Sequence, residues 1–281
     1  MQFSPTYEVT CLKTFDVDDF TEIDNTVKLV ESFTYHEDFV LGEGGFGKVY
    51  DGHRDPDGMA MKNGKHERVP LEVFLMQKAA GGNHSGGSTA AISLLDWQVK
   101  GDELILILER PFPCSDLFDY IERKGGFLEE KEAKNIMHQL IKAAVELHRN
   151  GVFHRDIKDE NVLLDWSDGE LQARFIDFGC GTRAMEGHYD RFKGTRDYAP
   201  PEYIQLKRYR ASPTTVWQLG VLMYGLLEGN EPFATKRFLR KRLNMDLNVS
   251  KNCQDFLDKC LCQRPSKRAN LEQLMLHPWL Q

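Results

Sequence analysis

His154, Arg155 and Asp156, with Lys158 two places on, Asn161 five residues after the aspartate and Asp177 sixteen residues after Asn161, are the residues whose types and spacing can do chemistry. Moving a phosphoryl group from ATP to a hydroxyl requires a carboxylate to receive the hydroxyl proton and oxygen ligands for a divalent cation. Asp156 is the candidate base. Asn161 and Asp177 are the candidate Mg2+ ligands, and Lys158 is a cation placed to steady the transferring phosphate. His-Arg-Asp alone is a common tripeptide, and Asp177-Phe178-Gly179 alone is an ordinary junction between a strand and a turn. Their order and spacing together set them apart.

These residues need elements to hold them. Val162, Leu163 and Leu164, and then Arg174, Phe175 and Ile176, form short apolar runs split by Asp168-Gly169, a two-residue hairpin signal. That hairpin carries the base on one flank and Asp177 on the other. Upstream, Ile136, Leu140, Ile141, Ala144, Val145 and Leu147 recur at helical spacing within residues 129–149.

A second constellation lies earlier. Leu41, Gly42, Gly44, Gly47 and Val49 fit a glycine-rich loop whose backbone amides can approach triphosphate oxygens. Taken alone it also fits a plain hairpin. Its setting between a strand at 37–40 and another at 48–52 favours a flap over the strand-to-helix turn of a dinucleotide fold. Fifteen residues beyond Gly47, in Met59-Ala60-Met61-Lys62, Lys62 is expected to hold the α and β phosphates. Glu72 is its expected partner, on a helix near 69–80 with Pro70 in the first turn and Met76 on the same face. A surface glutamate on an amphipathic helix is the plainer reading of Glu72. Nine residues separate Lys62 from Glu72, so the strand is expected to turn at Asn63-Gly64 directly into the helix.

With 281 residues, 41% hydrophobic and 28% charged, the chain has the composition of a soluble globular protein. No apolar run reaches the roughly 18 residues of a spanning helix, and the first ten residues lack a secretory pattern. No membrane partner is expected, and the cytoplasm, together with the nucleus, is the expected setting. The six cysteines show no metal-type pairing and are expected to be free thiols. A net charge of −7, from 43 acids against 36 bases, argues against nucleic acid and suits a basic peptide. Residues 1–34 read as an N-terminal extension, partly disordered, with acids at Asp16, Asp18 and Asp19. Residues 35–280 read as one catalytic domain: a small strand-rich lobe at 35–109 and a larger helical lobe at 110–280. The fold class is α+β, bilobal.

With these motifs in place the chain resembles protein kinases over residues 35–280, and most closely the Pim family of serine/threonine kinases. The residues that carry the resemblance are Glu109-Arg110-Pro111-Phe112-Pro113, then Asp116-Leu117-Phe118-Asp119, the catalytic segment with Lys158, Gly194-Thr195-Arg196, Pro200-Pro201-Glu202, Val216-Trp217 and His277-Pro278-Trp279. The resemblance implies nucleotide contacts from Leu41, Val49, Ala60, Leu108, Glu109 and Asp116. Pro111 removes one hinge donor, leaving the Glu109 carbonyl for adenine. Thr195 is implied to contact the catalytic Asp and Lys, and Glu202 to pair with Arg268. Asp116, Asp119, Asp159 and Glu160 are implied to receive arginine or lysine upstream of the target Ser or Thr, although such acids also cap helices or sit solvated.

Three positions depart from the pattern: the short Lys62 to Glu72 connection, Thr215 where most kinases carry an Asp that braces the catalytic loop, and Gly225 where basophilic relatives carry an acid. Between Asp177 and Glu202 the hydroxyl residues are Thr182, Tyr189, Thr195 and Tyr198. With no obvious phosphoswitch among them, constitutive activity is expected, and Glu186 or Asp190 is expected to hold Arg155 or Arg191. The expected function is an ATP- and Mg2+-dependent serine/threonine kinase for Arg-rich peptides, acting as a monomer. A pseudokinase scaffold is the alternative, and a lipid or small-molecule kinase is disfavoured by the Pro200-Pro201-Glu202 segment.

Overall fold

The computed structural model describes residues 7–12, 20–23, 29–44, 47–61, 67–80, 90–100, 103–229 and 232–281. For residues up to 68, and for 100 and 103, the backbone alone is described. The chain divides into two units, residues 1–77 with 92–112 and residues 78–91 with 113–281. Each is taken by itself.

The first unit is built of strands. In chain order they are β1 (Tyr7–Leu12), β2 (Phe20–Ile23), β3 (Leu29–Gly44), β4 (Gly47–Met61) and β5 (Glu67–Pro70), then helix α1 (Leu71–Ala79), which crosses the division between the units, then β6 (Leu94–Lys100) and β7 (Glu103–Glu109). Five of them form one sheet in the order β3-β4-β1-β7-β6. β3 and β4 make a long antiparallel hairpin whose last pairs are Gly42 with Val49, Glu43 with Lys48 and Gly44 with Gly47. Small residues suit that tight reversal. The register shifts between Val40 and Gly42, immediately before it.

Two expectations are corrected here. The first 34 residues, read as an extension, contribute β1, β2 and the first part of β3. β1 lies inside the sheet, antiparallel to β4 on one side and β7 on the other, so both of its edges are used. Met59, Ala60 and Met61 belong to β4, opposite Glu31, Val30 and Leu29 respectively. Nor does the chain turn straight into the helix. β5 intervenes, pairing with β2, and Pro70 ends it rather than opening α1.

The second unit is helical. Its elements are β8 (Cys114–Asp116), α2 (Leu117–Arg123), α3 (Glu130–Arg149), β9 (Val152–Phe153), β10 (Val162–Asp165), β11 (Gln172–Phe175), β12 (Thr182–Arg183), α4 (Pro201–Leu206), α5 (Ala211–Glu228), α6 (Thr235–Leu239), α7 (Lys251–Cys260) and α8 (Leu271–Met275). α3 buries Ile136, Leu140, Ile141, Ala144, Val145 and Leu147, as their spacing requires. α5 is apolar nearly all round and buried nearly all round. Ser250 caps α7, and a reciprocal Asn270–Gln273 capping box opens α8. Glu130, at the start of α3, receives bonds from Ser250 Oγ at 2.6 Å and Trp279 Nε1 at 3.0 Å, tying three segments together. Buried Cys180, Cys253 and Cys260 are thiols whose burial favours the neutral form.

β8, β10 and β11 form a small sheet beneath the catalytic segment. The β10–β11 connection is longer than the two-residue turn expected, because Asp165 pairs with Gln172 and residues 166–171 form the loop. Asp165 Oδ1 accepts from Ser167 N at 2.8 Å and Trp166 N donates to Pro113 O at 3.0 Å, which takes Trp166 and Ser167 out of the ladder. Gly169, at φ +84°, completes the reversal.

Candidate active site

Residues 154–161 lie between β9 and β10, and short strands on either side fix where they begin and end. His154 is buried between Phe175 and Phe178, with ring centroids 5.4 and 4.9 Å away. Its Nε2 lies 3.0 Å from Ile176 O and its Nδ1 accepts from Asp156 N at 3.3 Å. A carbonyl can only accept, so the proton sits on Nε2. Burial lowers the imidazole pKa and keeps the ring neutral, against the pull of Asp177. The neutral ring thus links the turn around Asp156 to the residue before Asp177.

Asp156 is 3% exposed. Thr195 N and Thr195 Oγ1 donate to its Oδ1 at 2.7 and 2.8 Å. Asn161 Nδ2 donates to the Asp156 carbonyl at 2.9 Å and approaches Oδ2 at 3.3 Å. Oδ2 is therefore the less engaged oxygen. Gly194 makes this possible: at φ +114°, a Cβ on it would stand 2.5 Å from Arg155 O and 3.2 Å from Asp156 Oδ1. Any side chain there would push the segment carrying Thr195 away from Asp156.

Arg155 is not held by Glu186 or Asp190 as expected. Both acids are exposed, whereas the buried Arg155 guanidinium donates to Cys180 O and, at 2.7 Å, to Gly181 O. Backbone carbonyls are already in place as its acceptors. The following segment is pinned by packing. β12 pairs with β9, Tyr189 and Tyr209 exchange backbone bonds, and Phe153, Tyr189, Tyr209, Phe192 and Tyr203 form one aromatic cluster. Tyr189 is buried with its hydroxyl donating to Arg183 O at 2.7 Å. Burial pushes the Tyr198 phenol well above its ordinary pKa.

Asp177 has φ +59°, and its Oδ1 accepts from Gly179 N at 3.0 Å, leaving Oδ2 for another ligand. Asn161 spends Nδ2 on Asp156 and keeps Oδ1. Oxygen donors of this kind suit a hard divalent cation that completes its shell with water and phosphate. Lys158 Nζ is 3.4 Å from Glu160 Oε1.

The four acids expected to meet a basic peptide divide into two pairs. Asp116 caps α2, accepting from Asp119 N at 2.7 Å; burial raises its pKa against that amide. Asp119 is exposed. Asp159 and Glu160 share a short 3-10 turn with Asn161. Burial, then the Glu160 carboxylate bonded to it, pushes Asp159 up to about 7. Burial acts the same way on Glu160, but the Asp159 hydrogen bond and Lys158 outweigh it and lower its pKa. Below about pH 7 the pair thus holds a proton on Asp159, with the charge on the exposed Glu160.

Of the residues expected to meet the nucleotide, Leu41, Gly42, Gly44, Gly47, Val49 and Ala60 lie in the β3–β4 hairpin, and Leu108 and Glu109 end β7. Lys62 lies outside the described residues, so its expected pairing with Glu72 does too. Glu72 itself is 9% exposed in the first turn of α1, with Met76 buried one turn on. This burial excludes the plainer reading of a surface glutamate. Glu202 and Arg268 pair as expected, by two bonds of 3.0 and 2.9 Å, and Arg268 lies over the Trp217 ring.

One contact was invisible in the motifs. Gln218 Nε2 donates to Arg155 O at 2.6 Å. The available signal was Thr215, the missing brace, one helical turn before Gln218 on the same face.

Residues 35–280 match the protein kinase domain family, the class to which this bilobal α+β fold conforms. The chain is 39% identical over 259 residues to serine/threonine-protein kinase pim-2 of Danio rerio, covering 86% of this chain and 83% of that one. It is 35% identical over 260 residues to serine/threonine-protein kinase prk-2 of Caenorhabditis elegans, covering 85% of this chain and 56% of that longer one. The chain belongs to the Pim family of serine/threonine protein kinases. It is thus an ATP-dependent enzyme with proteins as substrates and a divalent metal as cofactor. Among the described residues no helix is long and apolar enough to cross a membrane.

Proposed function

We propose that this kinase phosphorylates Ser or Thr in peptides with arginine, and secondarily lysine, upstream of the target. In this reading it uses Mg2+, needs no phosphorylation of its own, and acts as a monomer in the cytoplasm and nucleus. The observation that carries the reading is the setting of Asp156, whose carboxylate is oriented by Thr195 while Arg155 is satisfied by two backbone carbonyls. A phosphate on the following segment has no role to fill there.

Asp156 receives the hydroxyl proton on Oδ2, the oxygen not taken by Thr195. Lys158 lies two residues on and steadies the transferring group. Asn161 Oδ1 and Asp177 Oδ2 hold the metal. Mg2+, when bound, supplies neutralisation of phosphate charge. Gly42, Gly44 and Gly47 offer backbone amides to the triphosphate, Leu41, Val49, Ala60 and Leu108 offer apolar contacts, and the Glu109 carbonyl accepts from adenine. Lys62 holds the α and β phosphates, with Glu72 as its partner.

Glu160 and Asp119 are the exposed acids for substrate, with Asp159 and Asp116 behind them. Arginine is favoured over lysine because its planar fork bonds a carboxylate twice. A positional peptide array on wild type and Glu160→Ala tests this: the variant is expected to lose most of its selection for upstream arginine. A flat wild-type profile, or one unaltered by the substitution, would refute the substrate assignment.

A further inference from the structure

We propose that Gln218 is a positioning residue for Asp156 and fills the role vacated at Thr215. This rests on the reading of Asp156 as the base. Thr215 cannot brace the catalytic loop as an acid would, and its hydroxyl is occupied by His148 Nε2 at 2.8 Å. His148 is kept neutral by burial, its pKa lowered to about 4. Gln218, on the same face of α5, reaches the loop instead.

The argument is one of peptide geometry. The carbonyl of Arg155 and the N–H of Asp156 belong to a single planar unit. Gln218 Nε2 holds its oxygen at 2.6 Å, and His154 Nδ1 holds its N–H at 3.3 Å. A plane held at both ends sets the direction in which Cα of Asp156 projects its side chain. The hold is needed because Arg155 sits at φ +69°, a left-handed conformation unfavourable for a residue with a Cβ. The same oxygen faces Gly194 so closely that a Cβ there would be 2.5 Å away. Any rotation of the plane therefore also disturbs the residue preceding Thr195.

Gln218 is 0% exposed, and its Oε1 has no partner among the described residues. Because Arg155 O can only accept, the amide must present its nitrogen there, and the orphan Oε1 is the cost of doing so. A buried side chain retained with half its hydrogen bonding unmet is explained by the donor it supplies. The polarity is opposite to that of the usual brace: a donor to a carbonyl here, rather than a carboxylate acceptor.

The test uses the full chain and three variants, Gln218→Met, Gln218→Glu and Asp156→Asn. Each is assayed for kcat, KM for ATP and peptide, and thermal midpoint from about pH 6 to about pH 9, the range in which a buried Glu can titrate. Gln218→Met keeps the length and removes the donor, so kcat is expected to fall roughly 10- to 100-fold, the scale of a small misplacement, with both KM values within about two-fold. Gln218→Glu can donate only when protonated. Its kcat relative to wild type should be highest at low pH and fall as pH rises, whereas the Gln218→Met ratio stays flat. Wild-type kcat in folded Gln218→Met overturns the proposal, as does a Gln218→Glu ratio without that slope. If Gln218→Met does not fold, the slope alone decides. Turnover by Asp156→Asn would overturn the base assignment separately, whatever Gln218 does.

Discussion

At the scale of single residues, the Asp159–Glu160 pair gives a pH prediction with a definite sign. Asp159 is pushed up to about 7 from the ordinary 3.8, by burial and then by Glu160. A carboxyl raised in the folded state favours the protonated native form, so its contribution to stability is present below the unfolded value and lost as pH rises through about 7. Asp159→Asn does not titrate. Its thermal midpoint relative to wild type should therefore climb between pH 5 and about pH 8, and calorimetry at several pH values checks this; a pH-independent difference would remove Asp159 as the titrating group. Asp177→Asn makes a second test. It should abolish transfer and remove the metal-dependent part of ATP binding, measured by titration with and without Mg2+, whereas Asp156→Asn should keep that part. Equal metal dependence in the two variants would reassign Asp177.

At the scale of elements, α5 is braced by an ion pair and the sheet by an unexpected strand. Arg268 and Glu202 are both nearly inaccessible, and Arg268 also donates to Pro213 O and Cys262 O. Arg268→Ala leaves a buried carboxylate without its partner, and a loss of about 3–5 kcal/mol in urea unfolding is expected. An apolar pair at both positions should cost much less. β1 is hydrogen-bonded to β4 and β7 at once, so a chain starting at residue 35 would uncover two facing strand edges inside the sheet. Such a truncation should lower the thermal midpoint and weaken ATP binding. If it binds ATP like the full chain, β1 is dispensable to the nucleotide half.

At the scale of the whole molecule, the expected behaviour is activity without a priming phosphorylation. Protein treated with phosphatase should keep its full kcat, measured with a basic Ser peptide, because Arg155 and Tyr189 already have partners. A large loss on dephosphorylation would mean that the segment from Asp177 to Glu202 is ordered by a modification instead.

Much of this kinase is legible along the chain, and the reason is locality. His154, Asp156, Asn161 and Asp177 lie within a short stretch in which two strands and a loop suffice to place them, so their spacing already points to the chemistry proposed for them. Helical periodicity likewise announces α3, whose buried face follows directly from the recurrence of Ile136, Leu140 and Ala144. Other features depend on partners distant in sequence. Arg155 has acidic residues nearby in the chain, yet its acceptors are the carbonyls of Cys180 and Gly181, which no side-chain pattern records. Residues 7–12 look unremarkable until β4 and β7 bind them on both edges, because strand order is a property of the assembled sheet. Gln218 belongs to the same group: its apolar helix hides it, and its meaning comes from a 2.6 Å contact to a carbonyl 63 residues earlier. Composition and spacing encode which groups can react, whereas backbone carbonyls, peptide planes and strand edges acquire their partners through tertiary packing, since every residue type carries the same backbone.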